Sequence, residues 1–440
     1  MARRKAVLGL VGVAAVTAIG LTACSGGSSA TSADNTIDGT PSGDIKVVTW
    51  RTDLVQDGTY DKWIAEFNKK YPDVMVKVEG ITDYANEMLT RMSTKNFGDV
   101  IGIPTIQPSQ FSQFLEPLGK TSDFESKYRF LSGASYDGTQ YGIAWGGNAN
   151  GIVYNKKVWQ EAGITTLPTS EDEWLADLKK IKDNTDATPL YTNYKDGWPL
   201  SQSFGNLGAI THNPDAQTDM AHDKAPWTEG TDVYAIDSLL YDSVAGGFTE
   251  KDPLTTNWEQ SKVDLGTGKI AAMTLGSWAI SQMQSAAADN GASADDIGYM
   301  AFPANVDGKQ YAVIGGDYNL AVSKYSKSKA AAWAFIQFLV DESGYTDDQG
   351  MISTLKDADL PKNLQDFETA GVELMELNPA PAGQESLLSD IANDSKVDIN
   401  GQIYRQKLVD VARGAADGDK ASYFAELNKA WGASVEKLAK

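Results

Sequence analysis

From residue 45 onward the apolar positions switch between two periods. Ile45-Lys46-Val47-Val48-Thr49-Trp50 is a short apolar run with the composition of a buried strand. Tyr60, Trp63, Ile64, Phe67 and Tyr71 then recur every three to four residues, which puts them on one face of a helix. Pro72 ends that helix, because proline fixes its own φ and brings no N–H to the helical ladder. Val74 to Val78 reads as a second strand. Strand, helix and strand in this order predict a right-handed crossover onto a parallel sheet, so the fold class is α/β. The pattern continues with a helix from Tyr84 to Met92, a strand at Val100 to Ile103 and a turn from Pro104 to Pro108, with Asp99 placed to cap or brace the sheet. Further helices show in the shared faces of Trp174, Leu178 and Ile181, of Trp333, Ile336 and Val340, and of Phe424, Leu427, Trp431, Val435 and Leu438. The chain has no internal repeat and no coiled-coil heptad.

Upstream of this pattern the composition changes twice. Arg3, Arg4 and Lys5 precede an apolar stretch from Ala6 to Leu21, the form of a secretory signal and too short and poorly flanked for a membrane span. It ends in Leu21-Thr22-Ala23-Cys24, which resembles a bacterial lipobox. That resemblance implies cleavage of residues 1–23 and acylation of Cys24, a two-chain anchor sufficient for lasting attachment to a membrane. Residues 24–43 are rich in Ser, Gly, Thr, Ala and Asp, and read as a flexible tether. Cys24 is the single cysteine, so an exported chain would rely on packing without disulfides. Nearly 400 residues follow residue 43, enough for two domains. The net charge is −21, and about −24 without the three basic residues of the signal, which argues against nucleic acid as a partner.

Three segments in chain order resemble the extracellular solute-binding proteins of bacterial carbohydrate importers, the broad family that includes maltose-binding protein. The first runs from Tyr141-Gly142-Ile143-Ala144-Trp145 through Ile152-Val153-Tyr154-Asn155-Lys156 to Gly163-Ile164, Leu167-Pro168 and Trp174. The second is Gly268-Lys269-Ile270-Ala271-Ala272-Met273 with Gly276-Ser277-Trp278, and the third is Phe302-Pro303, Gly315-Gly316, Leu320 to Ser323 and the helix from Ala330 to Leu339. Ala144 stands where the family usually has proline, and Glu173 intervenes before Trp174. The resemblance implies a two-lobed α/β fold with a ligand cleft between lobes and a hinge of crossing strands. On this analogy residues 44–146 and 312–345 form one lobe, and residues 147–311 and 346–440 the other. It also implies a monomer that delivers its ligand to the permease subunits of an importer, with no cofactor and no catalysis.

A carbohydrate offers a flat apolar C–H face and a rim of hydroxyls, and so calls for aromatic plates and planar hydrogen-bonding groups. Of eleven tryptophans, Trp63, Trp159, Trp174, Trp333 and Trp431 fall in helical patterns and read as core. In the resembling family an aromatic at the position of Trp278 often stacks on sugar. Trp145 and Asn148 lie in a glycine-rich run where a ligand can approach the backbone. Trp50 and Asp53 follow the first strand at its carboxyl end, where open α/β sheets bind ligands, and Thr105 and Gln107 occupy the equivalent rim after the third. Gly316 and Asp317 precede a return strand, Asn193, Asp196 and Trp198 share a glycine- and proline-bounded loop, and Tyr84 opens a helix. These thirteen positions are the candidate ligand contacts. Trp227 and Trp258 each begin a helix, and packing accounts for either.

Two other readings stay open. A secreted glycoside hydrolase or lyase also combines tryptophan plates with paired carboxylates, and 59 acidic residues allow such a pair. A two-lobed binder for a non-sugar solute is the second, although an anionic ligand would want clustered arginines and Arg51 stands alone. Metal chemistry is poorly served, since His212 and His222 are the only histidines. No phosphate-binding glycine loop and no nucleophile elbow are present.

Overall fold

The computed structural model describes residues 35–82 and 84–439. The signal, Cys24 and the start of the expected tether lie outside them. Two β-sheets organise the chain. In the first, the strands run Val74–Gly80, Gly43–Thr49, Val100–Gly102, Asn319–Val322 and Ile143–Ala144 in spatial order. The first three are parallel and the last two antiparallel to their neighbours. The parallel part follows from the crossover helices that the sequence pattern marks out. Helix Thr59–Lys70 buries Tyr60, Trp63 and Phe67, and helix Tyr84–Ser93 buries Tyr84, Met88 and Met92. They contribute to separate cores, one with Val47 and Val100 and the other with Val48 and Ile101, so the sheet is covered on both faces. Asp99 braces this sheet by accepting from the Lys46 N–H at 2.8 Å. Residues 35–42 are held against the same region, where the Asn35 side chain donates to the Ser326 carbonyl at 2.8 Å and accepts from the Lys329 N–H at 3.1 Å.

The second sheet is built around Gly147–Asn155, the longest strand. Ala272–Gly276 pairs along one edge, Ile297–Met300 and Tyr311–Gly316 pair along the other, and Glu373–Glu376 runs parallel to Tyr311–Gly316. Alternation along the central strand sends Ile152 and Tyr154 into a large core with Trp159, Trp174, Trp227 and Trp431, and sends Ala149 and Val153 into a core with Tyr299, Met283 and Phe367. The C-terminal helices Leu387–Ser395, Ile403–Ala412 and Lys420–Leu438 complete the larger of these cores.

The chain passes between the sheets over very short distances. Ala144 pairs with Asn319 in the first sheet, and Gly147 pairs with Gly316 in the second. Only Trp145-Gly146 and Asp317-Tyr318 lie between, tied by Trp145 N–H to the Tyr318 carbonyl and Asp317 N–H to the Gly146 carbonyl, both at 2.9 Å. A third passage reaches Ile352, which exchanges backbone hydrogen bonds with Gly147 at 2.8 and 2.9 Å. The strand Tyr311–Gly316 belongs to the second sheet because it pairs there with Gly147 to Ala149, so the return to the first sheet falls at residue 319 where residue 312 was expected.

Candidate functional site

Strand ends from both sheets converge on the boundary between them. On the first sheet Trp50 closes Gly43–Thr49 and stacks on Tyr318 with ring centroids 4.1 Å apart. Its ring covers Gly102, where a Cβ would lie 2.3 Å from the indole, so only glycine leaves room for it. Trp50 and Tyr318 are half-buried. Tyr84 sits edge-on to Trp50 at 5.7 Å but is itself 3% exposed, with its hydroxyl donating to the Gly102 carbonyl at 2.7 Å and accepting from the Gly102 N–H at 2.8 Å. The structure thus gives Tyr84 a role in holding the sheet end. Trp145 is 1% exposed, stacked on Tyr345 at 3.9 Å and donating to the Leu339 carbonyl at 3.2 Å. It lies in the first core and not on the boundary surface.

Asp53 forms a fork with Arg51, whose other donors reach the Tyr345 hydroxyl at 2.7 Å and Gln349 at 2.9 Å. The Arg51 bonds hold the Asp53 carboxyl below its usual range. This cluster ties the end of the first strand to the third passage. Burial pushes the Asp317 carboxyl up, and the Tyr318 amide and the Arg51 charge only partly oppose it. Thr105 and Gln107 lie exposed on the rim, where Gln107 caps the short turn Pro108–Gln110.

On the second sheet three half-buried tryptophans face one another. The centroids of Trp198 and Trp258 are 4.9 Å apart, and Trp278 lies 5.8 Å from each. Gly276 lets the Trp278 ring fold back over its own strand, since a Cβ there would lie 2.6 Å from the indole nitrogen. The Asp196 carboxylate accepts the Trp258 N–H at 2.5 Å, and the Asn193 side chain donates to the Ser261 hydroxyl at 3.1 Å. Asn193 is fully buried with φ of 54°, a left-handed conformation that asparagine tolerates. Asp196 and Asn193 therefore stand behind the tryptophans and fix the loop that carries Trp198. Asn148 is half-buried on the central strand, opposite Gly315, and accepts from the Ser277 hydroxyl at 3.4 Å.

Between the sheets opens a cavity of about 760 Å³, within the range of ligand sites. Its walls come from the first sheet's side through Ser132, Asp137 and Asn319, and from the second's through Asn150, Gln202 and Asn378. Gly316 lines it, alone among the thirteen candidates. Helix Trp198–Ser201 links the tryptophan trio to the cavity, because Ser201 lines the wall while its hydroxyl donates to the Trp198 carbonyl at 2.7 Å. Three residues outside the thirteen candidates stand beside them: Tyr318 follows Gly316-Asp317, Asn150 is two residues from Asn148 on the same strand, and Trp258, which the sequence assigns to helix packing, faces Trp198. Among the described residues no group of His, Cys, Asp and Glu is arranged to hold a metal ion, and no helix is long and apolar enough to cross a membrane.

Two α/β lobes joined by short crossing segments, with half-buried aromatic rings at the strand ends, have the architecture of a solute-binding protein. Residues 52–346 match the bacterial extracellular solute-binding protein family, and the chain belongs to it. A manno-oligosaccharide specific solute binding protein of Bifidobacterium animalis subsp. lactis, solved with mannotriose, is 36% identical, with a TM-score of 0.80 over 93% of this chain and 96% of that one. A second binding protein of an ABC transporter from the same organism, solved with mannobiose, is 36% identical with a TM-score of 0.79, covering 90% and 95%. A diacetylchitobiose binding protein of Streptomyces coelicolor is 26% identical over 66% of this chain and 68% of its own length.

Proposed function

We propose that the chain captures an oligosaccharide in the cleft between its lobes and, closed around it, delivers it to the permease of an ABC importer. Two observations carry this reading: the trio Trp198, Trp258 and Trp278, half-buried and facing one another, and, joined to it through helix Trp198–Ser201, a cavity whose wall carries many amide and hydroxyl side chains. Sugar C–H faces pack on such rings, and planar amides pair with vicinal hydroxyls. The relatives solved with mannobiose and mannotriose support a manno-oligosaccharide as the ligand to try first. In this reading the protein acts as a monomer without catalysis, anchored through lipid on Cys24 at the outer face of the membrane. The half-exposed tryptophans and Trp50 with Tyr318 are the plates, Asn148, Thr105, Gln107, Asp53 and Asp317 the polar candidates around them.

The test is thermal unfolding of residues 35–440 against mannobiose, mannotriose, diacetylchitobiose and other neutral oligosaccharides, with amino acids and oligopeptides as controls. A ligand that binds only the folded state raises the melting temperature. A shift with one sugar class, the sugar being recovered intact, is the expected result. Cleavage of the sugar would establish a hydrolase or lyase, and a shift with peptides alone would make the solute something other than carbohydrate.

A further inference from the structure

Resting on the carbohydrate reading, we propose that the cleft sorts glycans by charge, admitting neutral and amine-bearing chains and rejecting carboxylated, sulfated or phosphorylated ones. Among the described residues the cavity wall contains three carboxylates, Asp137, Glu376 and Glu385, and no lysine, arginine or histidine. The rest of its polar surface is neutral amide and hydroxyl, which bonds sugar hydroxyls and offers an acidic substituent no counter-charge.

The three acids come from both sides of the boundary. The Phe130 N–H donates to Glu376 at 2.9 Å, and the Asp137 N–H to Glu385 at 3.4 Å. These bonds use one oxygen of each glutamate and hold both side chains at the wall. Two guanidinium groups of the first lobe are engaged elsewhere. Arg129 donates to the carbonyls of Ser353, Leu355 and Lys356, and Arg51 is bonded to Asp53, Tyr345 and Gln349. Neither lines the cavity. An anionic ligand entering it would meet like charge while the closing lobes displace water, the condition under which repulsion discriminates most strongly. The net charge of −21 over the whole chain adds a long-range field of the same sign.

Calorimetric titration of mannotriose and of the corresponding mannuronate trisaccharide, at low and high salt, tests this on wild type and on the triple variant Asp137→Asn, Glu376→Gln, Glu385→Gln. The amides keep an acceptor for the Phe130 and Asp137 N–H groups, so the wall is preserved while its charge is removed. The expected result is at least about tenfold weaker binding of the uronate to wild type, narrowing in high salt and mostly lost in the triple variant. Gln202→Lys, one added cation on the same wall, should raise affinity for the uronate and supplies the test if the triple variant is unstable. Equal affinity for the two sugars, or a gap unchanged by both variants, would assign the discrimination to hydroxyl stereochemistry and overturn the proposal alone. Failure of every neutral oligosaccharide to bind would sink the carbohydrate reading and this proposal with it.

Discussion

Trp145 and Trp278 occupy matching places in the two lobes. Each follows a strand that ends at the boundary, and each has glycine close by in sequence. Yet Trp145 is sealed at 1% exposure beneath Tyr345 and the end of helix Lys329–Asp341, while Trp278 stays half-buried beside Trp198 and Trp258. The difference lies in what the rest of the chain lays over each strand end. The first lobe receives the third crossing segment, which covers Trp145. In the second lobe helix Ala279–Asp289 begins immediately after Trp278, and the loop of Trp198 stands beside the ring without covering it. Glycine licenses a close approach to the backbone, and the approaching partner can be a ligand or the protein itself.

This contrast can be broken in order of effect. Trp145→Ala should cost about 3–5 kcal/mol of stability, the loss of a large buried ring and the cavity it leaves, and leave sugar affinity of the folded fraction nearly unchanged. Urea unfolding paired with calorimetric titration separates the two quantities. Trp278→Ala should show the reverse, losing about 1–3 kcal/mol of sugar binding with little change in the unfolding midpoint. A Trp278→Ala variant that keeps full affinity would remove that ring from the site. Asp196→Ala should cost about 1 kcal/mol of stability by freeing the Trp258 N–H, with a smaller loss of binding as the trio loosens.

The smallest expected effects concern pH and have opposite signs in the two lobes. In the first, hydrogen bonds from Arg91 and Lys46 hold the Glu79 carboxyl down to about 2 from its ordinary 4.5. Its contribution is present above about 4.5 and lost as pH falls toward about 2. In the second, burial and then the neighbouring Asp242 push Glu171 up to about 7, with the Lys420 charge partly opposing. Stability linked to Glu171 is full below about 4.5 and declines as pH rises through about 7. Melting temperature followed across pH should accordingly flatten at neutral pH in Glu171→Gln and at acid pH in Glu79→Gln. An unchanged profile in Glu171→Gln would show that this carboxyl titrates normally.

Regular elements were the most legible part of the chain. The helix faces of Trp63 and Phe67, of Trp174, Leu178 and Ile181, and of Phe424, Leu427, Trp431 and Val435 are buried as their spacing requires, because a helix repeats the same environment every three to four residues. The first sheet's parallel order followed from strand and helix alternation alone. The site was less legible. Of the thirteen candidates only Gly316 lines the cavity, Tyr84 and Trp145 turn inward, and Asn193 and Asp196 bond to the loop and helix that carry Trp198 and Trp258. Trp258 begins a helix and packs against a core as its sequence context suggests, and it also faces Trp198 and Trp278. A residue's place in a loop does not say which side of that loop the chain will later cover.

The α/β class and the order of strands and helices in the first lobe are legible in the amino-acid sequence alone, since these depend on local periodicity. The tertiary structure adds which tryptophans remain half-open, where the chain returns to the first sheet, and that among the described residues the cavity wall carries acids and no base. Those features arise from contacts between segments distant in the chain, such as Phe130 with Glu376 and Trp145 with Leu339, whose separations are 246 and 194 residues. No local pattern encodes such pairings, because each depends on the packing of everything between.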